Sequence, residues 1–422
     1  MATKVIYELT LWLLALLAIP KYLYALLFQK KYRSSFLKRL GAGFPKIEIG
    51  KRELIWIHAV SVGETKAVSV LTKRLKEIPS NPIIIVSSTT ETGHAEAKRS
   101  IPEADHHIFL PFDFYCIMAP LIKRLRPTRV ILCETDFWYN FLRLSKKYGA
   151  QIALVNGKMS ECSVGRFKRF SWLTKPLFSL FDIFCLQNQQ YAERFASLNI
   201  SAEKLVVTGN LKFDSVPKLM AEEEKWAFRK QLGIEQNDKV IVIGSSHDPE
   251  EKLLLEAMKD LWKENQDLKV IVVPRHPERF NTVEAFLQTL WIPYLRYSTR
   301  GESPNSCPII LLDTMGLLGQ CYQIATVAIV AGSYTSLVGG HNIIEPLWFG
   351  VPTLYGPHMH EQSELVEITS FYGAALQVPA ETLLENLKVL LKDGEEAASL
   401  REGAQKLVAA MQGATARTLQ VL

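Results

Sequence analysis

The chain has 422 residues, of which 48% are hydrophobic and 22% charged. These values exclude a disordered or low-complexity protein, and the length exceeds one ordinary core, so two domains are expected. The formal net charge of +6 is already reached within residues 1–50, which hold eight Lys/Arg and two acids, so the rest of the chain is neutral overall and offers no broadly basic surface for nucleic acid.

Taken in chain order, the first element is an apolar run from Val5 to Phe28, uncharged from Leu9 to Ile19 and interrupted at Pro20 and Lys21. A membrane span needs ~20 apolar residues, and this run reaches that length with Glu8 or Lys21 inside it. Lys30, Lys31, Arg33, Lys38 and Arg39 follow it, which favours a cytoplasmic body and opposes translocation of a cleaved leader. Residues 1–28 are therefore read as a membrane anchor and residues 29–50 as a basic juxtamembrane segment. The anchor is expected to stand apart from the first strand and to bury its surface in lipid.

After residue 50 apolar strands alternate with helical patterns. Strands are expected at Leu54–His58, Ile83–Ser87, Ile108–Leu110, Val130–Cys133, Ile152–Val155, Ile183–Leu186 and Leu205–Val207. The rhythm restarts at Val240–Ile243, Val270–Val273, Ile309–Leu312, Val327–Val330 and Thr353–Tyr355, and Ala380 to Val421 reads as helix. This is the βαβ pattern of open parallel sheets. It predicts an α/β chain with two Rossmann-like domains, 51–210 and 211–422, and a ligand site at the carboxyl ends of the strands. The six cysteines have no C-x-x-C spacing and read as buried free thiols, not disulfides or a metal site.

Candidate chemistry falls just after the strands. Ser61, Gly63 and Glu64 follow the first; Ser61-x-x-Glu64 is also a capping box, which accounts for Glu64 equally well without catalysis. Glu134 ends the fourth strand, and Lys158 follows the fifth. His58 reads as a satisfied histidine at the sheet edge, and His106-His107 as a surface pair before a strand. In the second half Ser245 and Ser246 follow one strand; Arg275 and His276 follow another and precede Pro277, so the guanidinium and a helix start can share an anion. The loop 331–342 contains Gly339, Gly340 and Asn342, and Glu345 begins the next helix; small residues there suit either a phosphate cradle or an ordinary βα turn. His358 and His360 lack the partners of a metal set, so no metal or cofactor is assigned.

The motif from His58 to Glu64 resembles the glycine–glutamate loop of the Kdo (3-deoxy-manno-octulosonic acid) transferases, inverting enzymes that place Kdo on lipid A. The resemblance continues through Glu134, Asn156–Ser160, Thr208–Asp214, Gly244–His247, Pro274–Arg279, Ser333–Pro346 and Gly356-Pro357-His358, in the family's order. It implies a GT-B fold with two sheets facing a cleft and an N-terminal membrane anchor. It also implies a CMP-Kdo donor, a lipid A precursor (lipid IVA) as acceptor, no metal, and the cytoplasmic face of the inner membrane. Glu64 is the base it implies, supported by Ser61, Gly63, Glu134 and Lys158. Ser245, Ser246, Arg275, His276, Gly339, Gly340, Asn342 and Glu345 are the implied donor contacts. The family often has arginine where Lys158 stands. Two rivals share much of this pattern: a GT-B transferase using a UDP-sugar and another lipid acceptor, and a membrane-bound nucleotide-binding scaffold without catalysis.

Overall fold

A computed structural model describes residues 2–27, 35–214, 219–301 and 304–422. They divide into two compact units, Met1–Ser215 with Met411–Leu422, and Val216–Ala410. In the first unit, helices α1 (Ala2–Leu27) and α2 (Phe36–Arg39) precede a sheet. Its strands are β1 (Leu54–His58), β2 (Ile83–Ser88), β3 (His106–Phe109), β4 (Arg129–Cys133), β5 (Gln151–Gly157), β6 (Ile183–Leu186) and β7 (Leu205–Val207). Among the connecting helices are α3 (Val62–Lys76), α4 (Tyr115–Leu125) and α5 (Tyr139–Lys147).

All seven strands pair in parallel, in the order β3-β2-β1-β4-β5-β6-β7. Every residue of β1 and β2 is buried, as expected where helices cover both faces of a parallel sheet. Leu54 and Trp56 join one core layer while Ile55 and Ile57 join the other, following the two-residue period of a strand. The order reverses between β1 and β4, so the loops after these strands open the crevice where such sheets bind ligands.

The second unit repeats the design with β8 (Lys239–Ser246), β9 (Leu268–Pro274), β10 (Tyr294–Arg296), β11 (Ile309–Leu311), β12 (Val327–Val330), β13 (Thr353–Tyr355) and β14 (Ala375–Gln377). Its order is β10-β11-β9-β8-β12-β13-β14, again parallel, with the reversal between β8 and β12.

The structure differs from the sequence reading in several places. Edge strands β10 and β14 were not expected: Tyr294-Leu295-Arg296 and Ala375-Leu376-Gln377 contain no β-branched residue, unlike the equally short β7, β11 and β13. His106 and His107 lie within β3 itself. Cys133, Cys185 and Cys321 are buried thiols, but Cys116 and Cys162 are exposed and Cys307 is half-buried. Leu211–Asp214 and the C-terminal helix Ala414–Val421 belong to the first unit, not the second. Three hydrogen bonds hold that helix there: Gly413 N–H and Thr415 N–H donate to the Asp214 carboxylate, the former at 2.7 Å, and Arg417 Nε donates to the Thr208 carbonyl at 2.8 Å.

Helix α1 runs through Pro20, and its segment Thr3–Pro20 is long and apolar enough to cross a membrane. Leu9, Leu13, Leu16 and Leu17 are exposed on one side. The other side docks on the first unit. Tyr7 Oη donates to Asp113 Oδ2 at 2.7 Å. Tyr115 N–H, at the start of α4, donates to Glu8 at 3.0 Å, and the Asn140 side-chain amide donates to Glu8 as well. Glu8 thus offsets the positive end of α4, which explains a carboxylate in an apolar helix. The expected separation of anchor and body is therefore corrected: the helix is also part of the body's surface. Lys30, Lys31 and Arg33 lie outside the described residues.

Candidate active site

In the first unit the loops after β1 and β4 bring Glu64 and Glu134 to the switch point. Ser61 is the N-cap of α3: its hydroxyl accepts from Glu64 N–H at 3.3 Å and donates to Glu64 Oε1 at 3.0 Å. Val60 N–H, not the Ser61 N–H of the expected capping box, donates to Glu64 Oε2 at 2.9 Å. A carboxylate has about four acceptor positions, so two hydrogen bonds leave Glu64 able to accept a proton from another partner. Burial raises its pKa above the ordinary carboxylate range; the Val60 hydrogen bond opposes this, and the Glu134 charge adds to it.

Glu134 sits at φ 62 and is 7% exposed. Lys158 Nζ lies 2.8 Å from one of its oxygens and Lys212 Nζ 2.9 Å from the other. Burial works against its charge, but the two ammonium groups hold it ionised, below the usual range. Lys158 therefore serves here as a point-charge partner of Glu134. Lys212 was not singled out from the sequence; its position within Thr208–Asp214 was the available signal. Its ammonium lies 3.8 Å from the place a side chain on Gly63 would occupy, so it covers the start of α3 beside Glu64. Asn156 accepts from Leu211 N–H at 2.9 Å, fixing the turn that carries Lys212.

His58 is a buried, fully engaged histidine, as its place at the sheet edge suggested. Nδ1 pairs with Ser87 Oγ at 2.8 Å and Nε2 with Asp136 Oδ2 at 3.1 Å. Trp138 Nε1 donates to the same Asp136 oxygen at 2.7 Å.

In the second unit the loops after β8, β9 and β12 gather the other candidates. Arg275 and His276 are exposed at the end of β9, and Arg275 makes no ion pair among the described residues. Ser245 stands at φ 58. Ser246 is buried and its hydroxyl donates to Glu251 at 2.8 Å, which also pairs with Arg279 at 2.6 Å; that hydroxyl is committed to the scaffold. Glu250 accepts the N–H groups of His247, Gly332 and Tyr334 at 2.9, 2.7 and 2.8 Å.

Gly340 N–H donates to the Gly332 carbonyl at 2.8 Å, so that amide is also spent inside the loop. Gly339 and Gly340 have φ of 84 and 93, and side chains there would collide with His360, Glu361 and Met359. These glycines are required by packing, whatever they bind. Asn342 is exposed and accepts from Ile344 N–H at 3.1 Å. Glu345 lies in the single helical turn Ile344–Leu347; burial, and after it the nearby Glu345 charge, disfavours ionisation of the Tyr322 hydroxyl.

Sequence reasoning did not assign roles to His247 and His341. Their Nε2 atoms are 2.8 Å apart, so one donates and the other accepts, and the pair cannot be doubly charged. Burial, then the neighbouring histidines and Arg275, pushes His341 down to about 4. Among the described residues no group of three or more His, Cys, Asp or Glu is placed to hold a metal ion.

Residues 34–215 match the family model described as 3-deoxy-D-manno-octulosonic-acid transferase (kdotransferase). The 3-deoxy-D-manno-octulosonic acid transferase of Chlamydia pneumoniae is 34% identical over 394 residues, covering 93% of this chain and 89% of the relative. That of Haemophilus influenzae is 28% identical over 401 residues, covering 93% and 91%. Among solved structures, the UDP-GlcNAc 2-epimerase of Neisseria meningitidis aligns with TM-score 0.62 at 12% identity, over 87% of this chain and 99% of that one. A Rickettsia africae glycosyltransferase aligns with TM-score 0.58 at 16% identity, over 88% and 98%. These two likenesses concern the fold alone, GT-B with two Rossmann-like units.

Proposed function

Because this chain belongs to the 3-deoxy-D-manno-octulosonic acid (Kdo) transferases and is therefore a glycosyltransferase, we propose that it moves Kdo from CMP-Kdo to a lipid A precursor, lipid IVA, with inversion and with Glu64 as general base. The observation that carries this reading is the half-buried Glu64 carboxylate at the switch point, its basicity raised by burial and by Glu134. A base works best when its pKa approaches the working pH. Glu64 takes the proton of an acceptor hydroxyl as that oxygen bonds to the anomeric carbon. The bond from that carbon to the CMP phosphate oxygen breaks on the opposite face, which inverts the configuration. Lys212 and Lys158 keep Glu134 charged beside Glu64 and offer cations to an anionic acceptor.

The donor phosphate is assigned to Arg275 and His276, with Ser245, Asn342 and the Gly339 region beside them. Glu345 is assigned to the ribose hydroxyls. Arg275 has no ion pair among the described residues and is available for a leaving phosphate. One phosphate neutralised by a guanidinium requires no added cation, so activity is expected to survive a chelator. Helix α1 is assigned to the inner membrane with the body on the cytoplasmic face, supported by its exposed leucines and the cations that follow.

The test is incubation with CMP-Kdo and a tetraacylated lipid A precursor, weighing the lipid product. A gain of Kdo is expected with wild type and is lost ~10²–10⁴-fold in rate with Glu64→Gln. Transfer from a UDP-sugar in place of CMP-Kdo, or nucleotide binding without turnover, overturns the reading.

A further inference from the structure

Between α1 and the body lies an apolar pocket of about 460 Å³. Leu11, Ala15 and Ile19 of α1 form one wall, and Leu40, Phe112 and Trp138 are among the residues that form the other. Its lining is mainly aliphatic and aromatic; the one charged residue among those described, Asp113, has its carboxylate already engaged by Tyr7 and by the N–H groups of Asn140 and Phe141. A lining so largely built of aliphatic and aromatic side chains suits hydrocarbon better than a sugar or a head group. The stretch Leu11–Ile19 is about 12 Å long at 1.5 Å per residue, an extended slot along the helix.

Three further observations identify the occupant. The helix that walls the pocket with Leu11 also exposes Leu9, Leu13, Leu16 and Leu17, so the pocket and that apolar stripe share one element. Beside the pocket, α2 ends in Lys38 and Arg39, neither of which makes an ion pair among the described residues. The Arg39 guanidinium lies 4.4 Å from the Phe112 ring, and its buried Nε has no partner. A cation at the rim of an apolar slot matches a phosphorylated, acylated lipid. Finally, Trp138 lines the pocket and donates to Asp136, which binds His58 at the end of β1, where the loop to Glu64 begins. The pocket wall is thus connected by hydrogen bonds to the end of β1, from which the loop to the candidate base departs.

We propose that this pocket holds one acyl chain of the lipid acceptor, with Arg39 and Lys38 taking an acceptor phosphate. The proposal rests on the acceptor being a phosphorylated, acylated lipid, as in the proposed function. The slot makes α1 part of acceptor recognition as well as a tether.

The test uses the full-length protein in detergent, with a tetraacylated precursor and its fully deacylated disaccharide phosphate as acceptors. Ala15→Trp, which fills the slot, should raise KM for the acylated acceptor at least tenfold while leaving KM for CMP-Kdo and activity on the deacylated acceptor unchanged. Equal KM values for wild type and variant overturn the proposal. An acceptor with a photoreactive acyl terminus gives a second readout that does not depend on the variant folding. Labelling should fall on the pocket residues Leu11, Ala15, Ile19, Phe112 and Trp138; labelling confined to the outer stripe at Leu9, Leu13 and Leu17 overturns it. If wild type transfers Kdo to neither acceptor, the proposed function fails, and the labelling pattern alone decides whether the pocket takes an acyl chain.

Discussion

The Tyr7 hydroxyl donates to Asp113 Oδ2 at 2.7 Å, joining residues 106 positions apart. Asp113 also accepts Asn140 N–H at 2.8 Å and Phe141 N–H at 2.7 Å, so one buried carboxylate fastens α1 to the start of α5. Burial pushes its carboxyl up to about 7, against those hydrogen bonds. An unfolded Asp titrates near ~3.9. Between these values the folded state holds a proton that the unfolded state has lost. The stability Asp113 contributes is complete below about pH 4 and is lost as pH rises through about 7. The unfolding free energy of wild type minus that of Asp113→Asn should therefore fall from pH 4.5 to pH 8, by at most ~1.4 kcal/mol per unit. A flat difference across that range contradicts the assignment.

Glu134 gives a pH test of the base. Its charge raises the pKa of Glu64, after burial, and Lys158 and Lys212 are bound to it. Transfer should rise as Glu64 loses its proton, above the ordinary carboxylate range. In Glu134→Gln the negative neighbour is gone and two cations are released, and both changes favour ionised Glu64. The acid limb of kcat/KM should move to lower pH. If the limb stays in place, the group it reports is not Glu64.

Arg275→Ala should weaken CMP binding by roughly 10- to 100-fold, as a lost charge-assisted hydrogen bond of ~1.5–3 kcal/mol implies. KM for the lipid acceptor should change less. Calorimetry that finds CMP affinity unchanged removes Arg275 from the donor site.

Gly340 separates packing from binding. An alanine there would be held at φ 93, with its Cβ in collision with Met359 Sδ. Backbone strain costs ~1–3 kcal/mol and overpacking a similar amount. Gly340→Ala should lower the unfolding midpoint of the second unit, and Met359→Ala in the same chain should restore the overpacking part only. Full recovery in the double variant would show that the backbone angle carries no cost.

Some of this protein is written locally in its sequence. Runs such as Leu54–His58 and Ile83–Ser88 are buried on both faces and rich in β-branched or aromatic residues, so they announce a central parallel strand wherever they sit. Ser61-x-x-Glu64 announces a helix start, and the charge-free Leu9–Ile19 run announces an apolar helix long enough to cross a membrane. Long-range pairing is different, because no local pattern encodes it. That Lys212 closes on Glu134, 78 positions away, depends on how β7 ends relative to β4, and that in turn depends on the order of the whole sheet. The sequence likewise could not reveal that Glu8 caps α4, that the C-terminal helix returns to Asp214, or that the amide of Gly340 is spent on Gly332. Each is a polar group finding a partner far away in the chain, and only the tertiary structure decides which partner is within reach.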